Sequence, residues 1–403
     1  MTQYEGGDFE GTLSESVLPV TVDEHAVPVP LDTLRPWHKP RKQYIRERQW
    51  KYYTEILIKT LAEKNALEAG RLNYFTLPGV DYFDVEVIGK VAKDKELKLE
   101  TLGFLSEAEK KPVMARSQVR LDSLVKKGLI GDESFTFPYR IQDIVHKNRQ
   151  AYREVQKRAP FHIINIDACG SIAPPSKGQS NRIITAVHHL VKLQLNLTRQ
   201  PWLLFVTTNV QPGNLSCEVR SKLENVIKIN AGDSEDFKLG AINCLGDANV
   251  DDIEDAISYA KDPLKFQALF SLGFSKWLLH NAKSANWDVE CLQFYGYSTL
   301  TDTNQISIPC LAYEFKPRPI PYPDRVEIVS SPPTRPSEMV DYSMQAIDST
   351  REMKNIDLLF RENPRMGIKY AEKQKELLEN AGYQATALNE FESEYINKAP
   401  STD

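Results

Sequence analysis

FHIINIDACGS, Phe161 to Ser171, is the stretch on which the fold turns. Its nearly continuous apolar run, followed at once by a small polar turn, is the pattern of a strand buried on both faces of a parallel sheet. PWLLFVTTNV (201–210) repeats that pattern, and between the two NRIITAVHHLVKLQLNLT (181–198) carries its apolar residues on one side of a helix. Strand, helix and strand in this order imply a right-handed crossover and a sheet covered on both faces.

Working outward, the alternation continues in both directions. RLNYFTLPG (71–79) is β-rich and ends in Pro-Gly, FDVEVIGKVA (83–92) follows after a short turn, and KLETLGFLS (98–106) is a second strand candidate. SQVRLDSLVKKGLI (117–130) carries an amphipathic helix, FPYRIQDI (137–144) offers a strand end with an acidic residue, and KNRQAYREVQKR (147–158) is a charged surface helix. Downstream, SCEVRSKLENVIKI (216–229) and the stretch 247–283 read as helical. VECLQFYGYST (289–299) and ISIPCLAYEFKP (306–317) are β-type runs joined by TDTNQ, a connection of hairpin length. The fold class expected is α/β: a Rossmann-like, mostly parallel sheet closed by a terminal β-hairpin, with helical additions at both ends.

Five segments follow: an acidic, extended tail (1–34), a basic helical segment (35–70), the core (71–318), a proline-rich linker (319–340) and C-terminal helices (341–403). The linker reads as a spacer or as a polyproline ligand. The C-terminal helices have apolar positions, among them Leu358, Leu359, Tyr370, Leu377 and Leu378, that suit packing on the core or on another subunit.

With 403 residues, 41% of them hydrophobic and a net charge of −5, the composition is that of a globular chain and not of a generic polyanion binder. The five cysteines, Cys169, Cys217, Cys244, Cys291 and Cys310, are far apart and show neither CxxC spacing nor a zinc pattern, so free thiols in a reducing compartment are expected. No apolar run approaches the length of a membrane span, and the start of the chain has acidic residues where a signal peptide needs basic ones. A cytoplasmic location without membrane contact, and no metal site, are the expectations.

In such sheets ligands bind beyond the carboxyl ends of the central strands, where strand order reverses. That directs attention to 77–81, to Asp143 and to 167–171. Asp167 could orient a substrate amine or hydroxyl or act as a general base, or it could cap the following turn. Cys169 could be a nucleophile or a core filler. His188 and His189, adjacent on one helix, point about 100° apart and cannot face one site together. His162 precedes a strand and suits its edge. Gly178, Ser180 and Asn181 could offer N–H groups to an anion or form a polar loop with an N-cap. The acidic runs at 233–236 and 247–255 read as solvated charge.

RPWHKPRKQYIRERQWK (35–51) is a sharp basic island in which Arg35, Lys39, Arg41, Lys42, Arg46, Arg48 and Lys51 face only Glu47. Trp37, His38, Tyr44 and Trp50 are interleaved with them. Cations with aromatics suit phosphate contact and base stacking, an acidic protein partner, or a structural lid over the core.

The alternating β/α units finishing in a hairpin resemble the class I S-adenosylmethionine-dependent methyltransferases over roughly residues 71–318. The resemblance implies that Leu77, Gly79 and Asp81 form the first turn, against the methionine part of the cofactor. It implies Glu100 near the second strand for the ribose and Asp143 after the third for the adenine. Asp167 would face the substrate, PWLLFVTT would be the fifth strand, and 289–299 with 306–316 the terminal hairpin. The family's first turn usually carries several glycines, which let backbone N–H groups approach the ligand. Here Gly79 stands alone behind Pro78, which lacks a donor. The fourth-strand motif is not the Asn/Asp-Pro-Pro-aromatic signature of enzymes that methylate base amines.

Two functions are therefore in view. The poor first turn favours a non-catalytic or weakly catalytic methyltransferase-fold subunit that recognises nucleic acid or scaffolds a multi-protein complex, such as a bacterial nucleic-acid-processing or defence assembly. The acidic residues at the strand ends favour an active S-adenosylmethionine-dependent methyltransferase acting on nucleic acid.

Overall fold

The computed structural model describes residues 31, 33–67, 70–106, 111–168, 170–175, 182–247, 249–263, 265–299, 304–318 and 342–397. The linker, Cys169, the Gly178–Ser180–Asn181 loop and all but three residues of the tail named above lie outside them.

The basic island begins with a 3-10 turn, Pro36–His38, and continues as one helical rod: α1 (Pro40–Ile45), a π-helical stretch (Arg46–Lys51) and α2 (Tyr52–Glu63). Prolines at the first positions of the 3-10 turn and of α1 suit helix starts, where the missing N–H has no partner to lose. π-helical stretches are rare and recur at functional sites; this one buries Arg46, Gln49 and Trp50 together.

The core then alternates: β1 (Arg71–Thr76), α3 (Phe83–Asp94), β2 (Lys98–Phe104), α4 (Lys111–Lys126), β3 (Phe135–Phe137), α5 (Gln150–Arg158), β4 (Ile163–Asp167), α6 (Ile183–Leu197) and β5 (Trp202–Thr207). Four helices follow: α7 (Cys217–Asp233), α8 (Glu235–Leu245), α9 (Ile253–Tyr259) and α10 (Phe266–Ser284). Ser216 caps α7 by accepting from the Val219 N–H, as its position predicts. The helical reading of 247–283 is resolved into α9 and α10, parted at the turn before Pro263, a residue that cannot continue a helix. β6 (Trp287–Cys291), β7 (Tyr295–Tyr297) and β8 (Ile308–Pro317) make the terminal hairpin. The chain ends in α11 (Tyr342–Arg351), the two-residue β9 (Lys354–Asn355), α12 (Ile356–Glu362), α13 (Pro364–Asn380) and α14 (Ala385–Tyr395).

The strands form one open sheet in the order β3-β2-β1-β4-β5-β8-β7-β9, with β6 also on β8. The pairs from β3 to β5 are parallel, and β8 lies antiparallel to β5. The α/β, mostly parallel architecture with an antiparallel end is thus the one expected, and the hairpin ends the sheet without rolling it into a barrel. Along β8 the partner register runs from Tyr313↔Cys291 to Cys310↔Tyr295, so the partner strand carries one extra residue and bulges between β6 and β7.

β4 shows how the two faces differ. Ile164 and Ile166 point into a mainly apolar layer with α6, α7 and α10, where Trp202 stacks on Phe315 at 3.9 Å. Asn165 and Asp167 alternate with them and so point to the opposite face, the one covered by the basic rod. The C-terminal helices pack on this chain's own core: Leu377, Leu378, Tyr383 and Phe391 join Phe83 and Val87 of α3, and Tyr370 joins Tyr44. Among the described residues no helix is long and apolar enough to cross a membrane.

Candidate functional site

Strand order reverses between β1 and β4, the neighbours at which the chain turns from building one half of the sheet to building the other. The crevice beyond their carboxyl ends is where a sheet of this kind takes a ligand. Three carboxylates gather there, Asp81, Asp84 and Asp167, and the basic rod lies across them.

Asp81 follows the turn Leu77-Pro78-Gly79-Val80 and is 1% exposed. Its carboxylate accepts from His38 Nε2 at 2.9 Å, Tyr383 Oη at 3.1 Å and Trp37 Nε1 at 3.3 Å, and it pairs with Arg116. Burial works to raise the Asp81 pKa, but the His38 hydrogen bond and the Arg116 charge outweigh it, and the group titrates below its ordinary value. Burial lowers the pKa of His38 in spite of that carboxylate. The neutral ring is also what the hydrogen bonds require. Nδ1 accepts from the Arg35 N–H at 3.0 Å, so Nε2 carries the proton and donates to Asp81. Gly79 lies against the Trp37 indole: a β-carbon there would sit 3.5 Å from Nε1.

Asp84, at the start of α3, accepts from Tyr74 Oη at 2.9 Å and Thr76 Oγ1 at 2.5 Å, and burial raises its pKa. Asn165 extends the network through Nδ2 to Tyr74 Oη. Asp167 ends β4 and is 20% exposed on its side chain; Lys42 Nζ reaches Oδ1 at 2.5 Å. Lys42 itself is 2% exposed and lies over the Trp50 ring, 4.8 Å from its centroid. Arg46, equally buried, donates to Gln374 Oε1 at 2.8 Å and to the Trp37 carbonyl at 3.1 Å, and stacks over Phe83.

The basic island is therefore divided between the inside and the outside of the molecule. Lys42 and Arg46 are inside the molecule, and Arg41 pairs with Asp357 at 2.8 Å. Arg35 and Arg48 are exposed, while Lys39 and Lys51 are partly so. The physical reason is local charge balance: buried carboxylates at the sheet edge need partners, and the rod supplies them.

The other sequence-predicted residues are scattered. Leu77 lies in the β1 turn, its N–H on the Asn165 carbonyl. Asp143 falls in a 3-10 turn (Ile141–Val145) just after β3, half-buried, with no side-chain partner among the described residues. Glu100 does not reach the crevice. It is the third residue of β2, paired with Asn73, three positions before the Thr76 that ends β1, or about 10 Å along the strand. Burial raises its pKa, Lys98 stands 3.6 Å away, and its carboxylate is packed against Gly131, where no β-carbon would fit. Phe104 ends that strand instead, and Leu105 and Ser106 follow it.

His162 sits at the opposite end of β4, its Nδ1 accepting from the Asn73 N–H at 2.9 Å. His188 lies beside Trp277 and His189 beside Tyr152, diverging as the helix geometry requires. Cys244, Cys291 and Cys310 are buried free thiols and Cys217 an exposed one. Among the described residues no group of three or more His, Cys, Asp or Glu could hold a metal ion.

What sequence reading missed are the partners: Arg116 and Tyr383 on Asp81, Thr76 and Tyr74 on Asp84. One signal was present. Lys42, Arg46 and Gln49 recur at three- and four-residue spacing, a polar stripe on one helical face, and all three are buried.

The chain belongs to the PP_RS20740-like family, whose sequence model matches residues 32–393. No curated protein matches it. Among solved structures it is similar to PH0793 from Pyrococcus horikoshii, provisionally named a transferase, at 8% identity and a TM-score of 0.28. That alignment covers 66% of this chain and 64% of the other, so the chain spans less than two thirds of that protein. A likeness of this size bears on neither fold nor activity.

Proposed function

We propose that the chain is a methyltransferase-like protein whose cofactor crevice is closed by its own basic rod, and that it serves as a recognition or scaffolding subunit beside a separate catalytic partner. The observation that carries this reading is the seating of Lys42 on Asp167 at 2.5 Å, the ammonium buried between that carboxylate and Trp50. Three of the positions that the resemblance assigns to S-adenosylmethionine do not fit it in this arrangement. Gly79 faces an indole, Asp81 is saturated by four donors, and Glu100 lies away from the edge.

Isothermal titration of the full chain with S-adenosylmethionine and S-adenosylhomocysteine tests this. No heat and no thermal stabilisation at millimolar ligand is the expected result. Micromolar, one-to-one binding that is lost in Asp143→Ala would overturn the proposal. It would favour the second reading, an active methyltransferase on nucleic acid, for which the half-buried, unpartnered Asp143 is the supporting observation.

A further inference from the structure

The part of the basic island that stays outside has found a second wall. A groove of about 230 Å³ runs between the helical rod at 47–55 and the early turns of α13. Four cations line it, Arg48, Lys51, Lys369 and Lys373, against two carboxylates, Glu47 and Glu55. Glu47 is already engaged, by Lys373 at 2.7 Å and Lys51 at 3.9 Å. Arg48 donates through Nε to Tyr370 Oη at 2.7 Å. That bond fixes the guanidinium and leaves its terminal nitrogens without a protein acceptor among the described residues. Lys369, exposed, has no ion pair among them either. Arg365 stands one helical turn before Lys369, on the same stripe of α13. In the same wall Tyr52 leaves a ring 51% exposed, propped edge-on by Tyr53 at 5.1 Å.

We propose that this groove binds the phosphate of a nucleotide, free or as a unit of single-stranded nucleic acid, with Arg48 and Lys369 on the phosphate oxygens and the base on Tyr52. An anchored guanidinium matches a phosphate with two parallel N–H···O bonds, and a neighbouring ammonium adds a point charge. Stacking on an exposed ring beside a cationic track is the sequence-tolerant mode of holding a single strand. A plainly acidic partner would make no use of the ring. The proposal deepens the recognition-subunit reading and rests on it; the crevice and the groove are separate places, so each can fail alone.

The test is fluorescence anisotropy of a labelled single-stranded oligonucleotide of about ten nucleotides, titrated with the full chain at low and moderate salt. Arg48→Glu/Lys369→Glu is compared with Lys95→Glu, an exposed change elsewhere. The expected result is binding weakened at least tenfold in the double variant, with a shallower salt dependence, and unchanged in Lys95→Glu. Competition by a mononucleotide at equal phosphate concentration would identify the free nucleotide as ligand; competition by a second oligonucleotide alone would identify nucleic acid. No binding, equal loss in Lys95→Glu, or poly-glutamate competing as well as the oligonucleotide would overturn the proposal. Titration of the double variant with S-adenosylmethionine, expected to match the unaltered chain, keeps this result apart from that of the crevice.

Discussion

The two faces of the central sheet meet the same strands and solve opposite problems. On one, Ile164, Ile166, Leu204, Val206 and Trp202 are buried against α6, α7 and α10, and the strands themselves bring no charge to the layer. On the other, the carboxyl ends present Thr76, Asn165, Asp167 and Thr207, and the covering rod sets Lys42 on Asp167 while its buried Arg46 and Gln49 bond Gln374 and the carbonyls of Trp37, Gln293 and Cys310. The apolar face draws on transfer free energy and dense packing, which act without direction. The polar face holds only if each charge meets its partner, since a buried charge left alone is costly. One face tolerates hydrophobic exchange of similar volume; the other specifies which segment lies over it.

The comparison can be broken in three places. Trp202→Ala, on the apolar face, should lose the most, about 3–5 kcal/mol by chemical denaturation. A loss under about 1 kcal/mol would mean that this layer is loosely filled. On the polar face Lys42→Met should cost about 2 kcal/mol by leaving Asp167 without its cation. Lys42→Met/Asp167→Asn should recover much of that, because the second change removes the stranded charge. Additive costs in the cycle would show that the pair is not coupled.

The smallest effect is a slope. Burial lowers the pKa of His162 from 6.5 to about 4, although part of the residue remains exposed. The unfolded chain therefore binds the extra proton first, and stability falls as pH drops from about 6.5 to about 4. Protonation would also turn the Nδ1 acceptor of the Asn73 N–H into a donor. His162→Asn, which keeps an acceptor but not the titration, should flatten that part of the stability–pH curve. An unchanged slope would assign it to other groups. Asp81, whose folded pKa is depressed, contributes stability above the ordinary carboxylate range that is lost only at lower pH, so the two windows separate.

Much of the architecture was legible because strands buried on both faces write themselves as apolar runs. β4, β5 and the closing hairpin are of that kind, and so is the crevice at 77–81 and Asp167 that follows from them. The side of the basic island that turns inward was not. Which members of a run of lysines and arginines turn inward cannot be told until the carboxylates they meet are known, and Asp81, Asp84 and Asp167 come together only in the folded sheet. Glu100 shows the converse: its strand was found, yet which end of the strand it occupies depends on the register with β1. The partners from α4 and from the turn after α13 are too distant in sequence for any spacing rule to reach.

Asp81 and Tyr383 are 302 residues apart in the chain. On a ribosome adding roughly 5–20 residues per second, the carboxylate waits roughly 15–60 s for its last donor. Over its last part, once β9 at Lys354–Asn355 has been made, the nascent sheet has all its strands while its carboxyl edge is still unlatched. The final helices thus act on the growing polypeptide as a completion signal: a chain released before them carries a formed core whose charged rim has never been sealed.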